Sequence, residues 1–87
     1  MSQLESKVAI VTGAARGLGR AYAEALAREG AAVLACDIND CDDTVAAIAD
    51  AGGRAGGMIV DITSMESCEA MAAQAIASFG RIDVLVN

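Results

Sequence analysis

The sequence predicts an α/β fold built on a doubly wound parallel sheet that is truncated after its fourth strand. Short apolar runs alternate with segments of helical periodicity, in the order β-α-β-α-β-α-β. The apolar runs are uniform rather than alternating, which is typical of strands covered on both faces. They begin near residues 8, 32, 58 and 84. This spacing leaves room for a helix and a right-handed crossover between successive strands.

The first half of the chain predicts two strands around one helix. The first strand covers Val8–Val11, and glycines then break it into a helix over Leu18–Glu29. The second strand, Ala31–Cys36, ends at Asp37. The apolar residues of the helix fall on one stripe, which we assign to packing: Leu18, Tyr22, Ala25 and Leu26.

The next segment predicts a second helix and a third strand. Asn39 or Asp40 can cap the helix, which ends in a glycine-rich segment at residues 51–57. We interpret that segment as a plain connection, because it leads into a strand rather than a helix. The third strand, Met58–Val60, ends at Asp61.

The last segment predicts a third helix and a fourth strand. Thr63 and Glu66 form a capping box, Gly80 ends the helix, and the strand covers Val84–Val86. The predicted inward stripe of the helix is Met65, Cys68, Ala72, Ile76 and Phe79.

Composition limits the class of protein. The 87 residues are 55% hydrophobic and 21% charged, which indicates one small globular domain. The net charge of −6 argues against a nucleic-acid partner, because phosphate contacts need a basic face. It does not argue against a nucleotide, which backbone amides can hold.

The cysteines and the N-terminus exclude other classes of site. Cys36, Cys41 and Cys68 match no zinc spacing and the chain has no histidine, so we expect no metal site. The N-terminus lacks a secretory apolar segment, and no stretch approaches the length of a membrane span. We therefore expect a soluble, cytoplasmic protein with no membrane partner.

The glycine pattern Gly13-x-x-x-Gly17-x-Gly19 lies between the first strand and the first helix. A helix that begins there leaves N–H groups unpaired at the positive end of its dipole, which favours binding of a phosphate. The Lys-Ser/Thr pair of a Walker A loop is missing. The structural alternative is a tight turn that needs small residues for packing.

Two acidic residues follow neighbouring strands of the predicted sheet. Asp37, at the end of the second strand, can accept hydrogen bonds from the hydroxyls of an adenosine ribose. Asp61, followed by Ile62, can meet an adenine amino group. Helix capping explains the other nearby acids, Asp40, Asp42 and Asp43.

At this point the sequence resembles the short-chain dehydrogenase/reductase family, from about Lys7 to Asn87. Four features in chain order carry the resemblance: Thr12-Gly13-x-x-x-Gly17-x-Gly19, Asp37, Asp61-Ile62 and Leu85-Val86-Asn87. The resemblance implies a Rossmann-like sheet in which the segment from Gly13 to Gly19, including Arg16, Gly17 and Leu18, binds the pyrophosphate and adenosine side. It implies that Asp37 holds the ribose, that Asp61 and Ile62 hold the adenine, and that Asn87 begins an Asn-Asn-Ala-Gly motif.

The family's catalytic Ser and Tyr-x-x-x-Lys motif have no counterpart in this sequence, so we name no catalytic residue. Tyr22 is followed four places on by Leu26 rather than by a lysine. We therefore expect residues 1–87 to be the N-terminal part of one NAD(P)-binding domain of a longer protein. That protein would pass hydride between NAD(H) and an alcohol or ketone, and the resemblance implies a homo-oligomer.

The cofactor is predicted to be NAD rather than NADP. Asp37 would face the 2′-phosphate of NADP, a repulsion of roughly 1–4 kcal/mol at a separation of about 4 Å. Arg16 argues for NADP instead, since in the family a basic residue at this place often accompanies NADP.

Two other functions compete with this interpretation. A methyltransferase that binds S-adenosylmethionine also has a glycine loop and strand-end acids. Such enzymes usually carry an acid just before the glycines, where this chain has Thr12. The other alternative is a non-catalytic fragment that binds a nucleotide.

Overall fold

Four strands and three helices alternate along the chain in the computed structural model, which describes residues 4–87. Their bounds are β1 Val8–Thr12, α1 Gly17–Arg28, β2 Ala32–Asp37, α2 Asp42–Asp50, β3 Arg54–Ile59, α3 Met65–Phe79 and β4 Val84–Val86. Within these residues, no helix combines the length and the apolar character that a bilayer span requires.

The four strands form one parallel sheet in the order β3-β2-β1-β4. The chain moves outward from β1 to β2 and β3, then returns to the other side of β1. This arrangement confirms the predicted α/β fold of Rossmann type. A strand order that reverses beside β1 creates a crevice at the carboxyl ends of the strands, where such folds bind ligands.

Helices cover both faces of β1 and β2, which explains why their sequences are uniformly apolar. Because side chains alternate along a strand, each strand contributes to both layers of the core. One layer joins Val11, Val33 and Ala35 to Ala23 of α1 and Ile48 of α2. The other joins Ile10, Leu34 and Cys36 to Met71 and Ala75 of α3.

Strand β3 begins at Arg54, four residues before the predicted start at Met58. It pairs with β2 over Ala32–Asp37, so most of the glycine-rich segment is strand rather than connection. Gly57 shows why a glycine is suitable there. A Cβ at this position would lie 3.2 Å from Cγ2 of Val45, so its absence lets α2 approach the sheet.

The predicted apolar stripe of α1 is wrong at its first two positions. Leu18 is 69% exposed and Tyr22 is 48% exposed, so neither lies in the core. The fully buried residue of α1 is Ala23, a small side chain that brings the helix close to the sheet.

Helix α3 begins one residue later than predicted and buries another face. Its N-cap is Ser64, whose Oγ accepts a hydrogen bond from Ser67 N at 3.2 Å, so the predicted cap at Thr63 is wrong. Met71 and Ala75 face the sheet. Met65 and Ile76, two residues of the predicted stripe, are exposed.

Substitution of two leucines tests which residues belong to the core layer between the sheet and α3. Leu34→Ala should lower the free energy of unfolding by about 2–5 kcal/mol, because Leu34 is 1% exposed and its loss leaves a cavity. Leu18→Ala, the matched control on an exposed helix position, should change it by less than about 0.5 kcal/mol. Urea unfolding of the chain measures both. Equal losses in the two variants would contradict this assignment of the core.

Candidate functional site

The turn between β1 and α1 depends on three glycines for two different reasons. Gly13 and Gly17 have φ angles of 67° and 62°, in the left-handed region that favours glycine. Gly19 is needed for a close contact inside the protein. A Cβ there would collide with the carbonyl group of Gly13, lying 2.6 Å from its carbon. Gly19 therefore lets the helix pass directly over the turn.

Three hydrogen bonds from separate parts of the chain hold this turn in place. Ala14 N donates to the carbonyl of Cys36 at 2.9 Å, and Ala15 N donates to Oδ2 of Asp37 at 3.0 Å. Thr44 Oγ1, on α2, donates to the carbonyl of Ala14 at 2.7 Å. Thr44 was missed in the sequence analysis. It could have been found from its position four residues before Ile48, which places it on the buried face of α2. A buried hydroxyl needs a hydrogen-bond partner.

The N-terminus of α1 is open to an anion. Its N-cap, Arg16, has extended backbone and makes no side-chain capping bond, and the first turn contains no acidic residue. In contrast, Ser64 caps α3, and Asp42 and Asp43 lie in the first turn of α2. The first turn of α1 thus adds no acidic side chain of its own to its unpaired N–H groups and positive dipole end.

The carboxylate of Asp37 lies next to this turn at the end of β2. Oδ1 accepts a hydrogen bond from Asn39 N at 3.0 Å, and Oδ2 accepts the one from Ala15 N. These N–H donors, Asn39 first, lower the pKa of Asp37 below its ordinary 3.8, with smaller contributions from Ile38 N–H and the charge of Arg16. Two carboxylate oxygens can accept about four hydrogen bonds, so capacity remains for ligand hydroxyls.

A cleft of about 280 Å³ opens beside the turn, at the carboxyl ends of three strands. It is lined by Thr12, Gly13, Asp37, Ile38, Val60, Asp61 and Ile62. The structure therefore brings together four of the predicted site residues: Gly13, Asp37, Asp61 and Ile62. Ile38, which the sequence analysis did not assign to the site, is as exposed as Ile62, and both offer apolar surface for a flat ring.

Asp61 also organises the turn before α3. Its Oδ1 accepts hydrogen bonds from Thr63 N at 2.9 Å and Thr63 Oγ1 at 2.6 Å, which lower the pKa of its carboxyl. The sequence predicts no role for Asp61 at this helix start. The structure corrects that, because Asp61 positions the turn while still lining the cleft.

The remaining predicted site residues lie around the cleft. Arg16, Gly17, Leu18 and Gly19 belong to the adjoining turn and the start of α1. Asn87 follows β4, where its Oδ1 accepts a hydrogen bond from Thr12 Oγ1 at 3.0 Å. It lines a separate apolar groove of about 440 Å³ between α3 and β4, which Ile62 also lines.

None of the residues that line the cleft is a cysteine. Burial raises the pKa of Cys36 to about 12 and that of Cys41 to about 11. Across the described range 4–87, no three His, Cys, Asp or Glu residues are grouped so as to hold a metal ion.

Comparison with known families decides between the classes that share such a cleft. The model of the short-chain dehydrogenase family matches residues 7–87. The chain belongs to this family. The resemblance inferred from its motifs is confirmed, and a methyltransferase is not favoured.

Individual short-chain dehydrogenases show the same relationship. The chain is 52% identical over 85 residues to the short-chain reductase protein NovJ of Streptomyces niveus, covering 95% of this chain and 32% of NovJ. It is 42% identical over 85 residues to a sorbitol dehydrogenase of Cereibacter sphaeroides, covering 98% and 33%. A hydroxysteroid dehydrogenase structure from Escherichia coli superposes with a TM-score of 0.95 at 41% identity, covering 97% and 37%. The chain thus spans about a third of the length of these curated relatives.

Short-chain dehydrogenases generally bind NAD(P), and the residues of this cleft fit such a nucleotide. The open amides at the start of α1 suit phosphate oxygens, and the ionised Asp37 suits hydroxyl donors. The exposed faces of Ile38 and Ile62 suit a base.

The hydrogen bonds to Asp37 predict a pH dependence of stability. Because its folded-state pKa is lowered, Asp37 stabilises the fold fully above its unfolded pKa, and this stabilisation is lost as the pH falls through the folded value. Asp37→Asn should therefore flatten the decrease in stability below about pH 4. Urea unfolding between pH 2 and pH 7 measures the slope.

The control is Asp50→Asn, which removes the same charge from an exposed position at the C-terminal end of α2. This control should keep the wild-type slope. Superimposable curves for wild type and Asp37→Asn would refute the role of Asp37.

Proposed function

We propose that this chain is the dinucleotide-binding part of an NAD-dependent oxidoreductase that transfers hydride between NAD(H) and an alcohol or ketone. One observation carries the proposal: the open amides of α1 and the ionised carboxylate of Asp37 lie at the same edge of the sheet and are joined through Ala15. The amide donors of α1 suit a pyrophosphate. The carboxylate of Asp37, an acceptor, suits the two hydroxyls of a ribose. A dinucleotide presents both within one molecule.

Each part of the site has a separate role in this proposal. The turn and first helical residues, Gly13, Arg16, Gly17, Leu18 and Gly19, bind the pyrophosphate side. Asp37 accepts hydrogen bonds from the ribose, and Asp61 and Ile62 contact the adenine. Asn87, anchored to Thr12, supports the cofactor from the end of β4.

The charge balance beside the ribose favours NAD over NADP. Asp37 is held ionised by its N–H donors, so a 2′-phosphate beside it would meet a full negative charge. Arg16 is the nearby basic residue that would favour NADP, but its charge lowers the pKa of Asp37 less than the N–H donors do. A repulsion of roughly 1–4 kcal/mol remains to be overcome by NADP.

Family membership also supports proposals about the substrate, the cellular location and the oligomeric state. The names of the sorbitol and hydroxysteroid dehydrogenases support a small-molecule alcohol or ketone as substrate. The net charge of −6 supports the absence of a nucleic-acid partner. We further propose a cytoplasmic homo-oligomer in which residues 1–87 form the N-terminal part of one NAD(P)-binding domain.

Catalysis is proposed to require residues outside this sequence. No Tyr-x-x-x-Lys motif occurs in the 87 residues, and Tyr22 lies on the exposed side of α1. NAD supplies the hydride acceptor when it is bound. The residues of this chain orient it and keep the carboxylate of Asp37 ionised.

Titration with reduced nucleotides tests the cofactor assignment. The chain should bind NADH at least about five-fold more tightly than NADPH, as expected from a repulsion of about 1 kcal/mol or more. Asp37→Asn should narrow this ratio, because the amide removes the charge but keeps one acceptor oxygen. Fluorescence titration of wild type, Asp37→Asn and the control Asp50→Asn gives the dissociation constants. Tighter binding of NADPH by the wild type would overturn the assignment to NAD.

A further inference from the structure

We infer that Thr44 is a positioning residue that sets the affinity of the glycine turn for the diphosphate of a bound nucleotide. The inference rests on the proposed function, since it assigns the turn to phosphate binding. Thr44 itself lies on α2 and is not placed in contact with the nucleotide. It acts through the carbonyl of Ala14.

The contact between Thr44 and the turn is short and fully buried. Oγ1 of Thr44 donates to the carbonyl of Ala14 at 2.7 Å, and both residues have no exposed surface. A buried carbonyl that loses its partner cannot recover one from water without movement of the turn. The bond therefore constrains the turn itself and not only the packing of α2.

The position of Thr44 on its helix explains the contact. Thr44 is the third residue of α2, and side chains of a helix tilt towards its N-terminus. Its hydroxyl thus reaches beyond the first turn of α2 to the neighbouring loop. Cys41, the N-cap of the same helix, is close to Cys36 and Asp37 at the end of β2, the other two anchors of the turn.

The anchored segment lies between the two left-handed glycines. Between Gly13 and Gly17, Ala14 is held by Cys36 and Thr44, and Ala15 is held by Asp37. The amides at the start of α1 follow immediately. A turn released at Ala14 would aim these amides less well, so a diphosphate should lose more affinity than a ligand that lacks phosphate.

Ligands that differ only in the diphosphate provide the test. ADP contains the adenosine and the diphosphate, and adenosine contains no phosphate. Isothermal titration of the full chain should give roughly three- to ten-fold weaker ADP binding for Thr44→Val than for wild type. Adenosine binding should be unchanged, and Thr44→Ser, which keeps the hydroxyl, should restore ADP binding.

A comparison of Thr44→Ser with one further variant protects the test against a folding defect. Thr44→Cys and Thr44→Ser have similar shapes, but a thiol is a weak donor. Thr44→Cys should therefore weaken ADP binding relative to Thr44→Ser. It should also speed amide hydrogen exchange at Ala14 and Ala15, measured without any ligand.

The outcomes separate this inference from the proposed function. Unchanged ADP affinity and unchanged exchange in Thr44→Cys, or an equal loss of ADP and adenosine binding, would overturn the role of Thr44. A wild-type chain that binds neither ADP nor NADH would overturn the proposed function instead. The exchange rates at Ala14 and Ala15 would still decide whether Thr44 holds the turn.

Discussion

The close passage of α1 over the end of β1 is the constraint on which the cleft depends. Gly19 lies so near the carbonyl of Gly13 that no side chain fits between them. This contact places the start of α1 at the carboxyl edge of the sheet, with its first N–H groups directed to the same side as the strand ends. The parallel register of β1, β2 and β3 then brings Asp37 and Asp61 to that edge.

The carboxylate of Asp37 couples the shape of the turn to the charge of the cleft. It accepts hydrogen bonds from Ala15 and Asn39, so it holds the backbone on both sides of the β2 end. The same donors lower its pKa and keep it ionised at neutral pH. A substitution made to change the preference for a ribose hydroxyl or phosphate therefore also changes the support of the turn.

Much of this arrangement was predictable, and each failure has a physical origin. The order of strands and helices, and the placement of Asp37 and Asp61 at strand ends, follow from patterns along the chain. The buried faces of α1 and α3 are harder to predict, because their fully buried positions, Ala23 and Ala75, are alanines. The stripes of large apolar residues predicted for these helices therefore lie beside the faces that are buried. Thr44 was missed because its partner, the carbonyl of Ala14, is distant in sequence and carries no side-chain signal.

The distribution of acidic residues over the helix starts argues for the role of the first helix. The chain carries twelve Asp and Glu residues, and α2 and α3 both place acids in their first turns. An acid near a helix N-terminus typically stabilises it by about 0.3–1 kcal/mol, yet α1 has none, and no side chain caps it. A bound anion at the start of α1 would supply the stabilisation that an acidic side chain supplies to the other two helices. The carboxylate of Asp37 accepts its hydrogen bond from Ala15, which precedes α1, and under the proposed function its remaining acceptor capacity serves the ribose hydroxyls.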